Sequence, residues 1–163
     1  MNGKERAVSI DHAWIAAHIP HQGSMCLLDR VESWNETAIL CRAHSHLVAD
    51  NPLREAGSLG IVNGIEYAAQ AMAVHGALLA GDNRAPSAGF LTSVRNVRWY
   101  RQRLDDVGVE LTVRAERLSG NEFNILYEFS LHCADTLLLT GRASVMLDAN
   151  GGSASFTSPD KSS

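Results

Sequence analysis

The sequence has few cysteines and no C-x-x-C pair. The chain contains only Cys26, Cys41 and Cys133, and an odd number without close spacing predicts free thiols in a reducing compartment rather than a disulfide framework. The polar N-terminus, MNGKERAVSIDHAW, also lacks the apolar core of a secretory signal. Both absences favour a cytoplasmic protein.

An excess of positive charge is absent as well. The formal net charge of −4 and the isoelectric point near 5.9 argue against a general nucleic-acid or membrane-surface binder. The sequence has no phosphate-binding glycine loop, dinucleotide fingerprint, G-x-S-x-G motif or H-E-x-x-H motif. Nucleotide, NAD, serine-hydrolase and zinc-protease chemistry therefore have no support in the sequence.

The length of 163 residues and the apolar share of 45% are those of one ordinary globular domain. We expect residues 1–148 to form this single domain. The last stretch, ANGGSASFTSPDKSS, is rich in glycine and serine. Residues 149–163 are therefore expected to be a disordered tail.

Residues 57–81 are the most apolar stretch, and Glu66 is their only formally charged side chain. On a helix, four of the polar side chains of this stretch fall on one narrow stripe: Asn63, Glu66, Tyr67 and Gln70. Because nearly every other position is apolar, we predict a long helix buried in the core, with Ser58 as its N-cap. The stretch is too interrupted to cross a bilayer, which needs about 20 predominantly apolar residues.

Apolar and polar residues alternate on both sides of this helix, which predicts strands. The predicted strands are residues 25–31, 37–48, 88–100, 108–118, 122–133 and 136–147. Strands before and after a single helix favour an α+β fold, in which an antiparallel sheet curls around the helix.

Two segments resemble a known family. IPHQGSMCLLDRV, residues 19–31, and GIEYAAQA, which carries Glu66 and Gln70 with the spacing E-x-x-x-Q, are similar to the hotdog-fold 3-hydroxyacyl-(acyl carrier protein) dehydratases. The pair Ala88-Gly89 and the final meander also match, so the resemblance covers roughly residues 18–148. It implies a hotdog fold and an acyl tunnel between two protomers, and therefore a homodimer or a higher homo-oligomer.

The sequence departs from the family at one point. Housekeeping members carry their catalytic histidine in Gly-His-Phe-Pro, shortly before the helix, whereas here that region reads NPLREAGSLG. The sequence is closer to the aryl-polyene or pigment-type dehydratases of the same superfamily, which keep a P-H-x-x-x-M segment. This resemblance implies that His21 takes the place of the missing base.

Removal of water from a 3-hydroxyacyl thioester requires a base for the C2 proton, an acid for the hydroxyl and donors for the thioester oxygen. Neutral histidine suits the first role, and a carboxylic acid kept protonated by an apolar surround suits the second. We expect His21 as base and Glu66 as acid, without metal or redox cofactor. The other expected substrate-binding residues are Gln70, which orients Glu66, the helix-start amides of Gly60 and Ile61, and Gly89.

Each of these assignments has a plainer alternative. Glu66 could be a structural carboxylate, and His21 could be a turn residue that fixes the segment after Pro20. His44 and His46 are interpreted as a solvent-facing pair, because no third ligand is spaced for a metal. His75 lies away from Glu66 and is interpreted as a hydrogen-bonded core or interface histidine.

Four arginines fall within nine residues of this acidic chain: Arg95, Arg98, Arg101 and Arg103. They are either an ordinary solvated edge or a patch that binds an acidic acyl carrier protein and its phosphopantetheine. Trp99 and Tyr100 beside them could form a dimer contact. Two rivals to a dehydratase stay open: an acyl thioesterase, in which the helix carboxylate activates water, and a non-catalytic acyl-binding hotdog subunit.

Overall fold

The structure, a computed structural model, describes residues 10–21, 23–81, 89–121 and 123–147. The expected tail, residues 149–163, lies outside this range. The described elements are β1 (Ile10–Asp11), α1 (His12–His18), β2 (Arg30–Trp34), β3 (Ala38–Ala43), α2 (Gly64–Ala80), β4 (Gly89–Trp99), β5 (Leu111–Gly120), β6 (Asn124–Cys133) and β7 (Thr136–Leu147). Of the helices described, none has the length and apolar character that crossing a membrane requires.

The seven strands form one antiparallel sheet in the order β1-β2-β3-β5-β6-β7-β4. Helix α2 packs against β3, β5 and β6 in the middle of this sheet. The two edges differ in length, because β1 has two residues and β4 has eleven. The expected α+β hotdog architecture, a sheet wrapped around one long helix, is confirmed.

Strand β6 shows how local alternation produces the core. Ile125, Tyr127, Phe129 and Leu131 are buried at every second position and face α2, while the residues between them are exposed or half-buried. The regular exchange of inward and outward side chains fixes the register of β5, β6 and β7. This is why the strands predicted after residue 108 lie close to those observed.

The segment predicted as a strand over residues 25–31 is different. The chain makes a short 3₁₀ turn at Gly23–Met25, and β2 begins only at Arg30. The amide of Leu27 donates to the side-chain oxygen Oε1 of Gln70 at 2.8 Å. A side chain of α2 therefore holds the chain at Leu27, and bonding to β3 begins only at Asp29, whose amide donates to the carbonyl of Arg42 at 2.8 Å.

Strand β3 is shorter than predicted, and this changes the interpretation of two histidines. The strand ends at Ala43 and a 3₁₀ turn follows at Ser45–Leu47. His44 is exposed, but His46 is fully buried, with Nε2 3.0 Å from the carbonyl oxygens of Val107 and Val109. The predicted solvent-facing pair is therefore wrong, because the turn moves His46 into the core.

Helix α2 begins at Gly64, later than predicted, and Ser58 is not its N-cap. The hydroxyl of Ser58 instead donates to the carbonyl of Glu55. A 3₁₀ turn at Ile61–Asn63 leads into the helix. Close packing explains the glycine at the start of α2, since a Cβ on Gly64 would lie 2.7 Å from a methyl carbon of Leu139.

Candidate active site

Helix α2 has two apolar faces with different surroundings. One face is fully buried in the core and carries Tyr67, Ala68, Ala71, Val74 and His75. The other face is half-buried and lines a pocket of about 280 Å³; its residues there include Glu66, Ala69, Ala73, Gly76 and Ala77. The opposite walls of the pocket come from β4, β6 and β7.

The pocket contains the two residues expected to be catalytic. Helix α1 is capped by Asp11, whose side chain accepts from the amide of Trp14 at 3.0 Å, and it ends at His18. Pro20 then prevents further helix and directs the chain toward α2. As a result, Nε2 of His21 lies 3.1 Å from Oε2 of Glu66, although the two residues are 45 positions apart.

Gln70 fixes this arrangement from behind. Its side chain is fully buried, its Nε2 donates to the carbonyl of Met25 at 2.7 Å, and its Oε1 accepts from Leu27. The same Nε2 lies 3.5 Å from Oε2 of Glu66. Gln70 does not line the pocket, so it is a positioning residue that fastens the chain after His21 to the helix.

The charge of Glu66 differs from the sequence-based expectation. Its side chain is 34% exposed, and the hydrogen bond from His21 lowers the pKa of the carboxyl below its usual value, although burial acts in the opposite direction. An acid kept protonated by apolar neighbours is therefore a wrong description of Glu66 in this structure. The imidazole of His21, 45 positions earlier in the chain, stabilises the ionised carboxylate.

The expected helix-start donors are not at the pocket. Gly60 and Ile61 do not line it, and the amide of Ile61 already donates to the carbonyl of Gln102 at 3.0 Å. The expectation that these amides bind the thioester oxygen is therefore wrong. Residues 102–104 hold the turn before α2, and the carbonyl of Gln102 takes up the hydrogen bond of the Ile61 amide. Gly89, in contrast, does line the pocket, at the start of β4.

A buried polar chain stands at the other end of the pocket. Tyr127 lines the pocket, and its hydroxyl donates to Nδ1 of His75 at 2.7 Å. Nε2 of His75 in turn donates to the carbonyl of Asn35 at 2.8 Å. His75 is a hydrogen-bonded core histidine, as predicted, and burial lowers its pKa.

The sequence of the chain matches the model of one known protein family. The model of the family described as ApeP-like, ApeP dehydratase, matches residues 13–155, which is most of the chain and includes His21 and Glu66. The chain belongs to the ApeP-like dehydratase family. Its activity class is that of a hydro-lyase, and the family resemblance inferred from the sequence is confirmed.

Solved structures similar to this ApeP-like dehydratase share its fold. A chain of the dehydratase heterocomplex ApeI:P from Xenorhabdus doucetiae is 24% identical, with 82% of this chain and 90% of that chain covered and a TM-score of 0.70. AziG from S. sahachiroi is 13% identical over 76% and 91% of the two chains, with a TM-score of 0.55. Thioesterase HI1161 from Haemophilus influenzae is 12% identical over 73% and 77%, with a TM-score of 0.53. No curated protein is similar enough to this chain to count as a match.

The arginines proposed as a carrier-protein patch divide into two kinds. Arg101 pairs with Asp106 at 3.0 Å, and Arg103 pairs with Asp105. Arg95 is exposed and has no acidic partner among the described residues, and the same is true of Arg98.

A bulge in β4 places these two unpaired arginines together. The register shifts between Arg95, which pairs with Arg142, and Arg98, which pairs with Thr140. Since Arg142 and Thr140 are two residues apart on β7, they share one face of the sheet. The extra residue in β4 therefore brings Arg95 and Arg98 to the same face.

One group of side chains outside the pocket has the spacing of a metal site. Ligand atoms of Asp29, His44 and Glu110 lie within 4.8 Å of one another. The guanidinium of Arg30 donates to Glu110 at 2.8 Å, and Arg42 lies 4.0 Å from it. The carboxylate of Glu110 is therefore already paired with two guanidinium groups, so we assign no metal to this group.

Several pocket residues were not singled out from the sequence: His18, Phe90, Leu91, Ile125, Tyr127 and Gly76. The strand residues could not have been found, because only the folded sheet brings β4, β6 and β7 opposite α2. The helix face did leave a signal. Ala69, Ala73, Gly76 and Ala77 repeat with helical spacing, which shows a narrow stripe of small side chains.

Proposed function

We propose that this ApeP-like dehydratase removes water from 3-hydroxyacyl thioesters carried on an acyl carrier protein. The observation that carries the proposal is the 3.1 Å contact between His21 Nε2 and Glu66 Oε2 inside a mainly apolar pocket. Two groups that can exchange protons stand where an apolar chain can lie beside them. Membership of a dehydratase family supports the reaction class.

The reaction requires one proton to leave the substrate and one to return. A proton leaves C2, the bond between C3 and its hydroxyl breaks with its electron pair on oxygen, and the protonated hydroxyl departs as water while the C2–C3 double bond forms. Protons move and no net electrons are gained or lost, so the proposal includes no metal or redox cofactor. The thioester bond stays intact.

His21 takes the C2 proton and Glu66 protonates the hydroxyl in this proposal. Nδ1 of His21 is buried and has no hydrogen-bond partner in the described part of the chain, so we assign the proton exchange to Nε2. The ionised Glu66 must first take up a proton, and the proposal takes it from Nε2 of a His21 imidazolium across their hydrogen bond, which leaves Nε2 unprotonated and able to act as the base. An acyl chain in the pocket displaces water from the partly exposed carboxyl, and this desolvation raises its pKa.

A second chain is part of the proposal. Phe90 and Leu91 line the pocket at the edge of the sheet, yet they are 43% and 41% exposed. The wall that they form is therefore open to solvent on one side. We propose that another copy covers β4 and completes the pocket; a different subunit, as in the ApeI:P heterocomplex, is the alternative occupant.

The carrier protein is proposed to dock on the exposed arginines of β4. Arg95 and Arg98 share one face of the sheet and have no acidic partner in the part of the chain that the structure describes, so they can attract an acidic surface and a phosphate. Arg101 and Arg103 contribute less, because Asp106 and Asp105 already neutralise them.

The test is incubation of the purified protein with a 3-hydroxyacyl carrier protein, followed by mass spectrometry of the carrier. We expect loss of water with the acyl chain still attached. Glu66→Gln and His21→Ala should each lower turnover by about 10²–10⁴. The matched control is His132→Ala on β6, a half-buried histidine that does not line the pocket.

The same assay separates the rivals. Because Glu66 is ionised, it could activate water against the thioester carbonyl, and release of the free acid would indicate a thioesterase. Activity that needs a second protein would indicate a supporting subunit. Near-full activity of His21→Ala would show that the base assignment is wrong. If Arg95→Ala and Arg98→Ala raise KM for carrier-bound substrate but not for a pantetheine thioester, the docking site is supported.

A further inference from the structure

The pocket extends along α2 from the proposed catalytic pair. Glu66 and Ala77 both line it, and they are 11 residues apart on the helix. At a rise of 1.5 Å per residue, this separation is about 16 Å. Between them the helix presents only small side chains and Met72 to the pocket. The pocket therefore has the length of an extended chain, with the reacting groups at one end.

Gly76 stands near the far end of this path. It lies inside a 17-residue helix, where glycine is less favourable than alanine. Packing against the described residues does not require a glycine here, because an added Cβ would meet none of their atoms within 4 Å. Since Gly76 lines the pocket, a larger side chain would occupy pocket space. The missing side chain keeps the far end open.

Tyr127 forms the opposite wall at the same level, because its hydroxyl bonds to His75, the neighbour of Gly76. Burial raises the pKa of Tyr127 to about 12 and lowers that of His75, so both groups are neutral. The tyrosine proton is donated to His75 and the histidine proton to Asn35. Two hydrogen bonds therefore hold this wall, and they use both of these protons.

We propose that Gly76 and Tyr127 determine the length of the acyl chain that this enzyme accepts. The inference rests on the proposed function for the identity of the chain, and it adds the residues that select its length. An apolar chain that starts at Glu66 passes Gly76 after about 15 Å, since the two are ten residues apart on α2. A side chain at position 76 would stop it there.

The test is a binding series that does not depend on turnover. The probes are saturated acyl-pantetheine thioesters of increasing length, which carry no hydroxyl to eliminate, and calorimetry gives Kd. For the wild type we expect Kd to fall by about fourfold per methylene until the chain reaches the end of the pocket. In Gly76→Leu this gain should stop at a shorter chain. Gly108→Leu is the matched control, since Gly108 is exposed, lies outside the pocket and would place an added Cβ more than 4 Å from the other described residues.

The binding series can fail or succeed independently of the dehydration assay that tests the proposed function. A Gly76→Leu profile equal to wild type at every length would overturn the inference, and so would a wild-type Kd that does not change with chain length. A shortened profile in a protein that dehydrates no 3-hydroxyacyl thioester would support the length limit and contradict the reaction. If Gly76→Leu does not fold, Gly76→Ala serves instead: it should raise the melting temperature, because alanine favours the helix, and should still weaken binding of the longest chains.

Discussion

Both faces of α2 carry alanines, but the two faces have opposite roles. Ala68 and Ala71 are fully buried against the core, whereas Ala69 and Ala73 are half-buried and line the pocket. The first face stabilises the fold because the sheet covers it completely. The second face leaves space that a ligand can fill. Apolar composition alone therefore does not distinguish a core surface from a binding surface. The difference lies in whether the sheet fills the space over that face of the helix or leaves a pocket there.

The strongest test of this comparison places the same side chain on each face. Ala71→Leu inserts three carbons into a filled core and should lower the free energy of unfolding by about 1–3 kcal/mol. Ala73→Leu points a similar group into the pocket and should change that free energy by only about 0.5 kcal/mol. Urea denaturation of both variants measures the difference. Equal losses would mean that the pocket face is packed as tightly as the core.

An effect of similar size is expected where the two faces meet, at Tyr127 and His75. Tyr127→Phe removes the hydroxyl and leaves Nδ1 of His75 buried without a donor, which should cost about 1–3 kcal/mol of stability. Tyr100→Phe is the control, because Tyr100 is 58% exposed. If both substitutions have the same effect in urea denaturation, the hydrogen bond does not hold the wall in place.

The smallest effect concerns the charge on the pocket face. Removal of the imidazole in His21→Ala should raise the pKa of Glu66, because the desolvation that opposes its ionisation remains. Titration of the carboxyl carbon by ¹³C NMR measures this shift. An unchanged pKa would show that His21 does not contact Glu66 in solution.

The contact between His21 and Glu66 also determines whether the stability of the protein rises or falls with pH. Since folding lowers the pKa of Glu66 below 4.5, its ionised form stabilises the protein above that pH, and the contribution is lost as the pH falls through the lower, folded-state pKa. Solvent screening at a side chain that is one-third exposed limits the contribution to about 1 kcal/mol. The stability difference between wild type and His21→Ala should therefore narrow in acid.

The parts of the fold that could be predicted from sequence are those set by local periodicity. Strand β6 alternates strictly, and the long helix shows its apolar character within one stretch. The start of α2 could not be predicted, because it depends on contacts with Leu139 and with the chain near Gln102. The burial of His46 likewise depends on carbonyls more than 60 residues away.

The candidate site divides in the same way. The segment around His21 and the helix around Glu66 carried a family resemblance, so both residues could be named before their distance was known. The ionisation of Glu66 could not be predicted, because it depends on a neighbour 45 positions earlier in the chain. The pocket wall at Tyr127 exists only once β6 lies opposite α2.

The two margins of the described sheet differ in what they offer to another chain. Eleven residues of β4 form a long row of backbone groups at one margin, whereas β1 has two residues at the other. The described sheet therefore offers a second chain a longer edge at β4 than at β1. A chain paired along β4 would lie next to the pocket wall at Leu91, so assembly and the shape of the pocket would be linked.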